Sequence, residues 1–101
     1  MNTIIIEKIN ELKTLCRTYG VKVMYVFGSV CTNQFNDRSD IDFLISFDKL
    51  SIEQYTDNYF ELYYHLQRLF GRKIDLLTDK SLSNPYFIES VEASKQLIYA
   101  A

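Results

Sequence analysis

Three carboxylates and a glycine-serine turn carry the chemistry this sequence could do. Residues 26–45 run as an apolar strand into Gly28-Ser29, then a polar loop, then a second apolar strand that opens with Asp40 and Asp42. Side chains two apart on a strand share a face. The two acids therefore project together, with Ile41 turned away. Asp is a poor strand former, and two of them side by side repel unless a cation lies between. A site of oxygen donors with few protein ligands suits Mg²⁺, which keeps its waters and recruits substrate phosphates.

Asp75, in Arg72-Lys73-Ile74-Asp75-Leu76-Leu77, is the third acid. If strands 41–47 and 73–77 are neighbours, Asp75 joins the other two. Three carboxylates around one point could hold two Mg²⁺ ions and clamp both oxygens of an in-line displacement at phosphorus. Gly28 lets a ligand approach the backbone closely. A short helical turn at 29–34 would present free N–H groups to a phosphate, and Ser29 would add a hydroxyl.

The surrounding elements must position these groups. Ile5, Ile9, Leu12, Cys16 and Tyr19 recur at helical spacing, which predicts a helix over 3–19 closed by Gly20. Residues 21–27 read as a strand buried on both faces, and 40–47 as the second strand. A long helix follows over 51–70, capped by Ser51 and Gly71. Its buried stripe is Ile52, Tyr55, Tyr59, Leu62, Leu66 and Leu69. Strand 73–78, a short helix over 85–94 with Asn84 as cap and Pro85 in its first turn, and an apolar tail at 96–99 complete the chain. The order of elements gives an α/β fold, a small mixed β-sheet flanked by helices.

At 101 residues the chain is one domain, 1–101. Its 48% apolar content is enough for a core. A net charge of −2 and no basic stripe argue against direct nucleic-acid binding. Cys16 and Cys31 follow no metal or disulfide spacing. Without a leader or a long apolar run, a cytoplasmic setting and no membrane association are expected. Each acid alone has an ordinary explanation as a solvated strand end; the combination with Gly28-Ser29 is what points to a site. His65 reads as a helix-boundary residue and Cys31 as packing.

Gly28-Ser29, ten residues, then Asp40-Ile41-Asp42, with Asp75 on a later strand, resembles the DNA polymerase beta-type nucleotidyltransferase superfamily. The small size, Ser81-Leu82-Ser83-Asn84-Pro85-Tyr86 and Leu97-Ile98-Tyr99-Ala100 are similar to the minimal nucleotidyltransferase (MNT) antitoxins paired with HEPN-domain toxins. The resemblance implies the nucleotidyltransferase fold and an adenylyltransferase. With ATP and Mg²⁺ it would place AMP on a tyrosine of a HEPN-type RNase toxin and so neutralise it. It implies that Asp40, Asp42 and Asp75 bind metal, that Asp75 also helps deprotonate the acceptor hydroxyl, and that Gly28 and Ser29 hold the triphosphate. Many relatives follow Gly-Ser with an arginine-containing turn; here Val30-Cys31-Thr32-Asn33 carries no charge. Arg38, Arg72 and Lys73 are the cations that could stand in. The alternative is a non-catalytic antitoxin that neutralises by binding.

Overall fold

A computed structural model describes residues 1–101. The elements are α1 (Thr3–Ile6), α2 (Ile9–Thr18), β1 (Val21–Phe27), a 3₁₀ turn (Gly28–Cys31), β2 (Ile41–Phe47), α3 (Ile52–Phe70), β3 (Ile74–Thr78), a second 3₁₀ turn (Asp79–Ser81), α4 (Pro85–Ser94) and β4 (Gln96–Ala100). The sheet order is β3-β2-β1-β4. β1 runs antiparallel to both β2 and β4. β2 and β3 run parallel, joined through α3 as a crossover.

The sheet has two unequal faces. Ile41, Phe43 and Ile45 of β2 and Ile74 and Leu76 of β3 join Leu12, Cys16, Leu62 and Leu66 in the main core, under α2 and α3. Strand alternation sends Leu44 to the other face, where it clusters with Phe27 and with Val91 of α4. Asp42 and Asp75 share that second face.

Local signals account for most boundaries. Ser51 and Gln54 form a reciprocal capping box at the start of α3, and Gly71 ends it in the left-handed region (φ 64°). Asn84 accepts from the backbone N–H groups of Tyr86 and Phe87, with Pro85 in the first turn.

Two expectations need correction. The helix over 3–19 is two helices, because Lys8 leaves helical geometry (φ −109°, ψ 11°). The β-branched run Ile4-Ile5-Ile6 has weak helix propensity, and burial of Ile5 decides where that segment lies. Ile52 is not part of the buried stripe of α3; it is 87% exposed. The helix first meets the sheet at Tyr55, whose ring lies edge-on to Phe47 at 4.8 Å.

Candidate active site

Three strand ends meet at one end of the sheet. The antiparallel hairpin brings the C-terminal end of β1 beside the start of β2, with Phe27 opposite Asp42. The parallel crossover brings the start of β3 to the same level, with Asp42 opposite Asp75. Gly28 then turns the chain away with φ +77°, a region that favours glycine. A Cβ at this position would collide with Asp42 Oδ2. The turn backbone therefore lies directly against the carboxylate.

The turn is tied to α4. The Gly28 N–H donates to Ser94 Oγ at 3.3 Å, across 66 positions of sequence. The Ser29 carbonyl accepts from both the N–H and the hydroxyl of Thr32, at 2.9 and 2.8 Å. The Gly28 amide is thus engaged within the chain. On the sequence reading it was one of the groups available to hold phosphate.

Asp42 is the most perturbed acid. Burial pushes its carboxyl up to about 7, helped by a hydrogen bond with Asp75 and by the charges of Asp75 and Asp40; Lys73 opposes the shift. Asp40 precedes β2, with its Oδ2 3.5 Å from Lys73 Nζ. The pair is largely solvent-exposed and adds little to stability. No three His, Cys, Asp or Glu side chains converge tightly enough to enclose an ion by themselves. Asp42 and Asp75 face each other across β2 and β3, and Asp40 stands at the same end of the sheet beside Lys73.

The donor set still fits Mg²⁺. It is all hard oxygen, it is short of positive charge at Asp42, and Mg²⁺ takes one or two carboxylates and leaves its other positions to water and phosphate. The acids lie outside the roomiest cavity, about 550 Å³ between α2 and α3, which is lined by Asn10, Thr14, His65 and Arg68 among others.

The cations suggested by the sequence have other occupations. Arg72 donates to the carbonyls of Asn36 and Ser39 and lies over the Phe35 ring. Lys73 pairs with Asp40, and Arg38 is exposed on the loop. Cys31 is half-buried, its thiol pushed up chiefly by burial, and its Sγ lies 3.6 Å from the Val26 carbonyl. Packing accounts for it. The His65 ring packs at a tilt against Tyr19, with centroids 5.6 Å apart. Ser94 had no signal in the sequence, since nothing local links it to Gly28.

A mixed sheet with Gly-Ser at the end of one strand and opposed acids on the next two defines a nucleotidyltransferase core. The chain belongs to the polymerase beta nucleotidyltransferase family, whose pattern matches residues 10–101. It is 38% identical over 87 residues to MJ1379 of Methanocaldococcus jannaschii, which carries a provisional protein adenylyltransferase name; the match covers 86% of this chain and 84% of the relative. It is 31% identical over 72 residues to the protein adenylyltransferase MntA of Thermococcus cleftensis, covering 71% and 70%. The fold is that of the MNT antitoxin in complex with the tri-AMPylated Shewanella oneidensis HEPN toxin: TM-score 0.66 at 20% identity, over 95% of this chain and 72% of that one.

Proposed function

We propose that this chain is an MNT antitoxin that transfers AMP from ATP to a tyrosine of a cognate HEPN-type RNase toxin, the tyrosine oxygen bonding to the α-phosphorus as pyrophosphate leaves. The observation that carries the reading is the register of Asp42 with Asp75 beside Gly28. Kinship with the adenylyltransferase MntA supports the reaction type. The AMPylated toxin in the complex of similar fold supports the acceptor class.

Asp40, Asp42 and Asp75 would hold Mg²⁺, which when bound would supply positive charge to the phosphates and to the developing phenolate of the acceptor tyrosine. Asp75, on the outer strand of the sheet, takes the proton of the acceptor hydroxyl. Gly28 keeps side-chain bulk away from the triphosphate, and the Ser29 hydroxyl donates to it. Asp42 must be ionised to act, so the metal ion that accompanies the nucleotide would replace its proton. The cytoplasm is the matching setting; no helix is long and apolar enough to cross a membrane.

Incubating chain and toxin with ATP and Mg²⁺ and weighing the toxin tests this directly. An AMP-sized increment that disappears with Asp42→Asn is the expected result. Neutralisation by occlusion is the second reading, favoured by the engagement of Arg72 and Lys73 away from any phosphate. It requires Asp42→Asn to protect cells as well as the unaltered chain does.

A further inference from the structure

Arg72 and Lys73 lie just before the strand that carries Asp75, and residues 35–40 lie just before the strand that carries Asp42. The two segments are laced together. One Arg72 nitrogen, Nη1, donates to the Asn36 carbonyl at 3.1 Å and to the Ser39 carbonyl at 3.0 Å. The guanidinium carbon stands 4.6 Å from the centre of the Phe35 ring. The Ile41 N–H donates to the Lys73 carbonyl at 3.3 Å.

The loop is closed on itself around the same groups. Ser39 N–H donates to the Asn36 carbonyl at 3.0 Å, and Asn36 N–H to Ser39 Oγ at 3.1 Å. The Asn36 carbonyl thus accepts from both Ser39 and Arg72. These contacts oppose a definite force. Asp40, Asp42 and Asp75 carry like charges when ionised, and the Arg72 bonds add to the Ile41–Lys73 bond and the Lys73–Asp40 pair in holding the six-residue segment 35–40 against the start of β3.

We propose that Arg72 is a positioning residue for the nucleotidyl transfer, fixing loop 35–40 so that Asp42 stays opposite Asp75 and Asp40 stays at the same end of the sheet. The proposal rests on the function proposed above. It assigns Arg72 to the carboxylates instead of the phosphates. Only arginine suits the task, because its planar head can donate to two carbonyls while its face covers an aromatic ring. Lysine would keep the charge and lose the stack.

The test compares the full chain with Arg72→Ala, Arg72→Lys and Phe35→Leu. Amide hydrogen exchange is read at residues 39–42 without metal, and AMP transfer to the toxin is read against Mg²⁺ and ATP. For Arg72→Ala we expect faster exchange confined to that segment. We also expect kcat to fall about 10–100-fold, with the Mg²⁺ requirement rising about tenfold, the range for groups that orient metal ligands. The KM for ATP should stay within about threefold, since transition-state geometry and not ground-state phosphate binding is lost. Arg72→Lys and Phe35→Leu should fall in between, and they carry the test if Arg72→Ala does not fold. Unchanged exchange with kcat within about twofold of the unaltered chain would overturn the proposal, as would a raised KM for ATP at unchanged kcat, the mark of a direct phosphate contact. If the unaltered chain transfers no AMP, the proposed function fails by itself, and the exchange data still decide whether Arg72 orders this loop.

Discussion

Asp42 and Asp75 lie opposite each other in the one parallel strand pair of the sheet, close enough for their carboxyls to share a hydrogen bond. Burial and the neighbouring acids favour a proton on Asp42 when no cation is bound. Its burial and its like-charged neighbours make the site a source of instability that ligands relieve.

Stability without metal should therefore depend on pH with an unusual sign for a carboxylate. The Asp42 carboxyl is raised in the folded state, to about 7 from an ordinary value of 3.8. Between these values the folded chain binds more protons than the unfolded one, so this group's contribution falls as pH rises. Thermal unfolding of the metal-free chain should give a midpoint that declines from pH 4.5 to 7.5, and Asp42→Asn should flatten that decline. A slope unaffected by the substitution would assign the effect elsewhere.

Asp42→Asn should abolish AMP transfer and at the same time stabilise the metal-free chain near neutral pH. Removing one of two repelling charges is worth ~1 kcal/mol after allowance for solvent screening, or about 4–8 °C in a domain of this size. Differential scanning fluorimetry checks the second effect and the toxin's mass checks the first.

Mg²⁺ must displace the proton that Asp42 holds, so its apparent affinity should climb as pH rises through about 7. Calorimetric titration with Mg²⁺ and a non-hydrolysable ATP analogue at pH 6 and pH 8 would register this as tighter binding and smaller proton release at pH 8.

Gly28→Ala joins two penalties, a side chain at φ +77° and a Cβ driven into Asp42 Oδ2. We expect about 1–3 kcal/mol of lost stability from the backbone strain, with transfer activity lost even where the fold persists. Ser94→Ala removes the acceptor of the Gly28 N–H together with the exposed bond from the Ser94 hydroxyl to the Ser90 carbonyl within α4. About 1 kcal/mol is expected there, together with a measurable fall in kcat, because the turn loses its tie to α4. Urea unfolding alongside kinetics separates the two variants.

Within the core, Leu62 and Leu66 are fully buried on α3. Leu62→Ala should cost about 2–5 kcal/mol. Ile52→Glu, at an exposed position of the same helix, should move stability by less than about 0.5 kcal/mol. Equal effects at the two positions would contradict the packing described here.

The sheet was legible because its signals are local and repeated. Apolar runs marked 21–27 and 41–47, and Ser51, Gly71, Asn84 and Pro85 each punctuate a helix through bonds within a few residues. The opposition of Asp42 and Asp75 followed from one further assumption, that β2 and β3 are neighbours. What could not be read was decided by distant partners. Burial of Ile5 competes with continuous helix at Lys8, Ser94 reaches Gly28 from α4, and Arg72 turns to two carbonyls of a loop instead of the phosphates its charge suggested. Periodicity also cannot say where a helix first touches its sheet, and so it placed Ile52 inside.

The sheet ends at β3. One member of the opposed pair therefore sits in the outermost row, with no further strand between it and the flank of the molecule. A tyrosine protruding from a bulky folded body could slide in from that side without any hinged cover having to swing open. Turnover by such a design would be paced by the docking and departure of the visitor more than by motions of the host.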